Sequence, residues 1–106
     1  MMIINTEYSE KKETEAVKAV LSWKPAALIL SGTNHPEATL KLIRNVNFPI
    51  IEIMEISDQP INICVGFSHR SAGRDMGKYL VGKGYQSFAF YGCKMKRDVR
   101  GMKRFE

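Results

Sequence analysis

Residues 63–92 read ICVGFSHRSAGRDMGKYLVGKGYQSFAFYG, and this stretch decides the fold class. Ile63, Val65 and Phe67, with Ile61 before them, alternate with Asn62, Cys64 and Gly66, the period-two signal of a strand. A helix is predicted from about Arg70 to Lys83, with Ala72, Met76, Tyr79 and Leu80 as its inner stripe and Gly84 as its stop. Ser87–Tyr91 is a second apolar strand, closed by Gly92. Gly73 and Gly77 lie four apart, and each weakens a helix by about 1 kcal/mol relative to Ala. That spacing predicts a place where two backbones approach closely. Strand, helix and strand in this order make a right-handed βαβ unit of a parallel sheet.

Working outward, the same alternation continues. Met1–Asn5 is short and apolar and reads as a strand. Ser9 is the N-cap of a helix to about Lys24, with Ala16, Val17, Val20 and Leu21 on its inner face and Pro25 as its stop. Ala26–Leu30 is an unbroken apolar run, the signature of a strand covered on both faces. Ser31-Gly32-Thr33-Asn34 turns the chain. Pro36 opens a second helix, with Leu40, Ile43 and Val46 facing inward. Pro49 introduces the strand Ile50–Met54, and Asp58-Gln59-Pro60 is a turn. Asp98 is the candidate N-cap of a fourth helix. The predicted fold is α/β, a parallel sheet with flanking helices, with a boundary near Phe67–Arg70. Ligands of such sheets collect at the carboxyl ends of the strands. Those ends are Asn5-Thr6, Ser31-Gly32-Thr33, Met54-Glu55, Phe67-Ser68-His69 and Gly92–Lys96.

The composition of these 106 residues, 44% hydrophobic and 25% charged, excludes collagen-like, disulfide-scaffold and disordered classes. No apolar run approaches the roughly 18–20 residues of a membrane span. The net charge of +5 is uneven. Residues 1–92 hold ten Lys/Arg and nine acids, whereas residues 93–106 hold six bases against Asp98 and Glu106. A basic segment suits nucleic acid, an anionic membrane or an anionic small molecule. Its place at a strand's carboxyl end points to the lip of an anion-tolerant ligand cleft. Cys64 and Cys93 have no second pair and no His at ligand spacing, so buried free thiols in a reducing cytoplasm are expected.

Several chemistries are missing. There is no P-loop, no three-glycine dinucleotide fingerprint and no Gly-x-Ser-x-Gly elbow. Gly82-Lys83-Gly84 falls at a helix end, the wrong place to cradle phosphate. His35 and His69 fall in loops without a neighbouring Cys or carboxylate, and read as turn or cap residues. The expectation is a protein that is not an enzyme and uses no metal or cofactor.

The order of these pieces resembles the lactose-repressor-type (LacI family) transcriptional regulators. VKAVLSWKPAALILSGT (17–33) resembles their helix, strand and turn, and NFPIIEIMEIS (47–57) resembles the strand reached through an isolated proline. Residues 63–92 resemble the strand, glycine-spaced helix and strand that enter the second lobe of the effector-binding domain. DVRGMKRFE (98–106) resembles the arginine-bearing start of the next helix. The wording around PIIEI and VGFSHRSAGR is most similar to gluconate-utilisation repressors. The resemblance implies a periplasmic-binding-protein-like fold of two Rossmann-like lobes holding a small molecule, here truncated. Residues 1–66 would be the middle part of the first lobe and 67–106 the opening part of the second. It also implies a cytoplasmic homodimer that grips operator DNA only through an N-terminal helix-turn-helix head, absent from these residues. Open strand edges would further favour self-association.

The implied function is effector sensing by a repressor of carbohydrate utilisation, with gluconate as one candidate and a neutral sugar as another. The implied partners are a sugar or sugar-acid effector and, through the absent head, DNA, with no membrane. The family's effector-contacting arginine falls on Arg104, two residues before Glu106, where it would offer a bidentate fork to a carboxylate or hydroxyl pair. The acidic residue falls on Glu55, with Glu52 as the offset alternative. Lys96, Arg97, Asp98 and Arg100 occupy the preceding loop and helix start, and Asp98 and Arg100 are further candidate effector contacts. Two other readings stay open on the residues: a sugar-binding transport protein of the same fold, and a stand-alone α/β interaction domain.

Overall fold

The computed structural model describes residues 1–92 and 98–105. The chain divides into two compact units, residues 1–66 and 67–106. Cys93, Lys94, Lys96 and Arg97, and with them part of the basic segment, lie outside the described residues, as does Glu106.

In the first unit, helix α1 (Glu10–Leu21) starts where Ser9 takes an extended backbone and its hydroxyl accepts the Lys12 N–H. It ends three residues short of Lys24, because Ser22 caps it: both its N–H and its hydroxyl return to the Ala19 carbonyl. Strand β1 (Leu28–Ser31) follows, then helix α2 (Glu37–Ile43) with Pro36 one step outside it, in the cap position. Strands β2 (Ile50–Ile53) and β3 (Ile63–Val65) complete a parallel sheet in the order β1-β2-β3. Ile29 lies beside Ile51, and Glu52 beside Cys64.

Val17 of α1, Leu30 of β1, Ile43 of α2 and Ile50 of β2 form the buried core, flanked by Leu21, Leu28, Leu40, Leu42, Val46, Phe48 and Ile61. Each fully buried aliphatic side chain contributes about 1.5–3 kcal/mol. Helix α1 packs on α2, and Thr14 and Thr39 share a 3.0 Å hydroxyl–hydroxyl hydrogen bond between them.

Three expectations for this unit fail. Met1–Asn5 forms no strand: it pairs with no ladder, and its Met and Ile side chains are exposed. The apolar run before Gly32 is not covered on both faces, since Ile29 is 59% exposed. In β3 it is Cys64, not Ile63 or Val65, that is half-buried, so Ile63 and Val65 face outward although Ile61 before them packs on the core.

The second unit contains helix α3 (His69–Gly82), capped by the Ser68 hydroxyl on the Ser71 N–H at 3.1 Å. Lys83 closes it, and Gly84 follows at φ 89°, as its C′ assignment requires. Helix α4 (Val99–Phe105) starts on Asp98, whose carboxylate accepts the Gly101 N–H at 2.8 Å. The two helices pack where Gly73 meets the backbone of Arg104; a Cβ there would lie 2.8 Å from the Arg104 carbonyl carbon. Gly77, its partner in the spacing, faces open space.

The predicted inner stripe of α3 is corrected as well: Ala72, Met76 and Tyr79 are exposed and Leu80 only half-buried, while His69 is the buried residue. Ser87–Tyr91 forms no strand, because the described part of this unit offers no second strand to complete a ladder.

Candidate functional site

The carboxyl ends of β1 and β2 bring a turn and two acids together. Gly32, at φ 87°, lets the chain leave β1, and its N–H donates to the Ile53 carbonyl at 2.9 Å. The next residue, Thr33, donates its backbone N–H to Glu55 Oε2 at 3.2 Å. Glu55 is 4% exposed, and its carbonyl accepts the Cys64 thiol at 3.0 Å. Gly66, just after β3, lies so close that a Cβ would stand 2.7 Å from the Glu55 carbonyl carbon. The absence of a side chain at Gly66 is therefore what lets Glu55 sit there.

Glu52 lies three residues earlier, inside β2, and is 2% exposed. Its Oε1 accepts the Ile61 N–H at 2.9 Å and its Oε2 meets His35 Nε2 at 3.2 Å. Both oxygens are thus held by the protein itself. The other ring nitrogen, Nδ1, meets Glu13 Oε1 of α1 at 2.7 Å, and the His35 side chain is only 1% exposed. A neutral imidazole has one donor, whereas this ring faces a carboxylate on each side, which calls for the imidazolium. Burial lowers the His35 pKa, but the hydrogen bond and charge of Glu13, then those of Glu52, outweigh it and leave the pKa raised above 6.5.

His35 was expected to be a turn residue without a carboxylate partner; it has two, separated from it by 22 and 17 residues in sequence. Only the folded sheet brings them together, so no local signal marks the cluster. His69 is likewise no loop residue: it is the first residue of α3, buried, with its ring 4.6 Å from that of Phe67. Among the described residues no group of three His, Cys, Asp or Glu could hold a metal ion, and Cys64 is a free thiol.

In the second unit, α4 carries the remaining candidates. Asp98 is committed through one carboxylate oxygen to capping this helix. Arg100 is half-buried in its first turn. Arg104 is exposed near its end, with its backbone fixed against Gly73. Lys96 and Arg97 lie outside the described residues.

A family model described as periplasmic binding proteins and sugar binding domain of LacI family matches residues 1–98. The chain belongs to this family. Within this LacI-type family it is 29% identical to the HTH-type transcriptional regulator GntR of Escherichia coli (strain K12), over 99% of this chain and 32% of that protein. It is 30% identical to the HTH-type transcriptional regulator IdnR of the same strain, over 99% of this chain and 31% of that protein.

Among solved structures, a LacI family transcriptional regulator from Silicibacter pomeroyi matches with a TM-score of 0.92 at 36% identity, covering 98% of this chain and 31% of that one. The transcription regulator GntR from Chromobacterium violaceum matches with a TM-score of 0.88 at 28% identity, covering 99% and 38%. The LacI-type chain therefore spans about a third of the length of these relatives. Its parallel sheet with flanking helices is the periplasmic-binding-protein-like fold anticipated from the sequence. No helix among the described residues is long and apolar enough to cross a membrane.

Proposed function

We propose that these residues are the effector-sensing portion of a LacI-type transcriptional repressor of carbohydrate utilisation, with a sugar acid of the gluconate type as effector. The observation that carries this reading is the family match over residues 1–98, joined to two relatives that are HTH-type transcriptional regulators. In this reading residues 1–66 are the middle of the first lobe and 67–106 the opening of the second. The operator is gripped by an N-terminal head outside these residues, in a cytoplasmic homodimer. The domain binds its ligand and does no chemistry on it.

Within the first unit, Glu55 is the effector contact and Glu52 is not. Glu52 spends both oxygens on Ile61 and His35, while Glu55 stands at the strand's carboxyl end beside the Gly32–Thr33 turn. Its carboxylate would accept hydrogen bonds from sugar hydroxyls. Within the second unit, Arg104 would supply the charged fork for a carboxylate, with Arg100 beside it on α4 and Asp98 fixing the helix start. Effector binding would then shift a conformational equilibrium and so change operator affinity.

The family description also covers periplasmic binding proteins. The named relatives are regulators, which favours sensing over transport. Mobility-shift titration of the full-length gene product on its own operator tests the reading: gluconate should release the DNA. Retention of the complex at saturating gluconate and at saturating related aldonates would contradict it.

A further inference from the structure

We propose that His35 is a positioning residue whose imidazolium clasps Glu13 of α1 to Glu52 of β2 and so holds the turn that presents Thr33 to Glu55. Proton loss from this one ring then loosens that turn. The geometry carries the inference. The ring is 1% exposed, lies 2.7 Å from Glu13 Oε1 and 3.2 Å from Glu52 Oε2, and sits two residues after Thr33 in the same loop. Glu52 is anchored on its other side by the Ile61 N–H, and Thr33 is tied to Glu55 at 3.2 Å. Helix, turn, strand and the segment entering β3 therefore meet at one titratable group.

The charged groups acting on the ring are Glu13 from α1 and Glu52 from β2. On α2, Glu37 is exposed and turned to Arg44 at 3.2 Å. A protonated ring donates to both carboxylates. A neutral ring donates to one and turns a lone pair toward the other, an arrangement disfavoured between the buried Glu52 and the half-buried Glu13. The bonds with Glu13 and Glu52 raise the pKa, so the change falls above the ordinary histidine value.

That this turn faces an effector rests on the proposed function; the clasp itself does not. It is therefore tested without any ligand, by nuclear magnetic resonance on the intact 106-residue chain. The two histidine rings are followed from acid to alkaline pH together with the Thr33 amide. The His35 ring should titrate above 6.5. The Thr33 amide should shift with the same midpoint, and its hydrogen exchange, corrected for pH, should quicken about tenfold above it. Glu13→Gln, which keeps an acceptor in place, should lower both midpoints together. A His35 midpoint at or below 6.5, or a Thr33 amide indifferent to it, overturns the proposal, and the wild-type titration alone decides this. Failure of gluconate to bind the full-length protein would leave these resonances unchanged and would count against the effector reading only.

Discussion

Glu52 and Glu55 stand three residues apart, and both are buried, with Met54 between them at a left-handed φ of 75°. Residues three apart on an uninterrupted strand face opposite sides. The break at Met54 lets one acid close onto His35 while the other reaches the Thr33 amide. A strand that carried both acids in regular alternation would leave one of them on the outer face.

Substitution at Met54 measures how much that break costs. Met54→Val should lower stability by about 1–2 kcal/mol, since a β-branched side chain resists positive φ. Met54→Gly should stay within about 1 kcal/mol of the parent, because glycine tolerates the angle but loosens the unfolded chain. Urea unfolding of the two variants side by side checks this. Equal losses would show that the left-handed angle contributes no strain.

The paired glycines of α3 should behave in opposite ways. Gly77 faces open space, so Gly77→Ala should add up to about 1 kcal/mol of stability through helix propensity. Gly73 abuts the Arg104 backbone, which cannot swing aside as a side chain end can, so Gly73→Ala should destabilise despite the same propensity gain. Thermal unfolding followed by circular dichroism separates them. Stabilisation by both would mean that α3 and α4 do not pack at Gly73.

How far these features were legible in the sequence depends on how local they are. Ser9 and Asp98 each cap a helix within three residues, and both caps can be read directly. Ser68, which caps α3, was not legible, because the predicted start of that helix falls one residue late. The βα alternation was legible for the same reason as the two caps, while the glycine spacing marked a close approach that only Gly73 makes, against the distant Arg104. The clasp was not, because Glu13, His35 and Glu52 come from three elements far apart in sequence. Met1–Asn5 and Ser87–Tyr91 have strand-like composition, yet a strand exists only where a neighbour completes its ladder, and neither segment has one among the described residues. The outward turn of Ile63 and Val65 was illegible too, since alternation gives the period and not which face is covered.

Stability should fall as pH rises through the neutral range. The His35 pKa is raised in the folded chain, so its contribution is fully present below about 6.5 and lost as pH climbs through the higher folded value. Urea midpoints measured from about pH 6 to pH 8 should decline in the parent and flatten in His35→Asn. A parent midpoint that rises over this range, or a variant with the same slope, would contradict the clasp as the source.

The most direct measurement of the proposed function is calorimetric titration of gluconate into the full-length gene product. One saturable site is predicted, with Arg104→Ala and Glu55→Ala each weakening binding at least about tenfold, the loss of a charged hydrogen bond. The 106-residue chain alone should fall short of sub-millimolar affinity, because it spans about a third of the relatives' length. Saturable binding that ignores both substitutions would contradict the assigned contacts. Absence of binding to gluconate and to related sugar acids in the full-length protein would contradict the effector-sensing account itself.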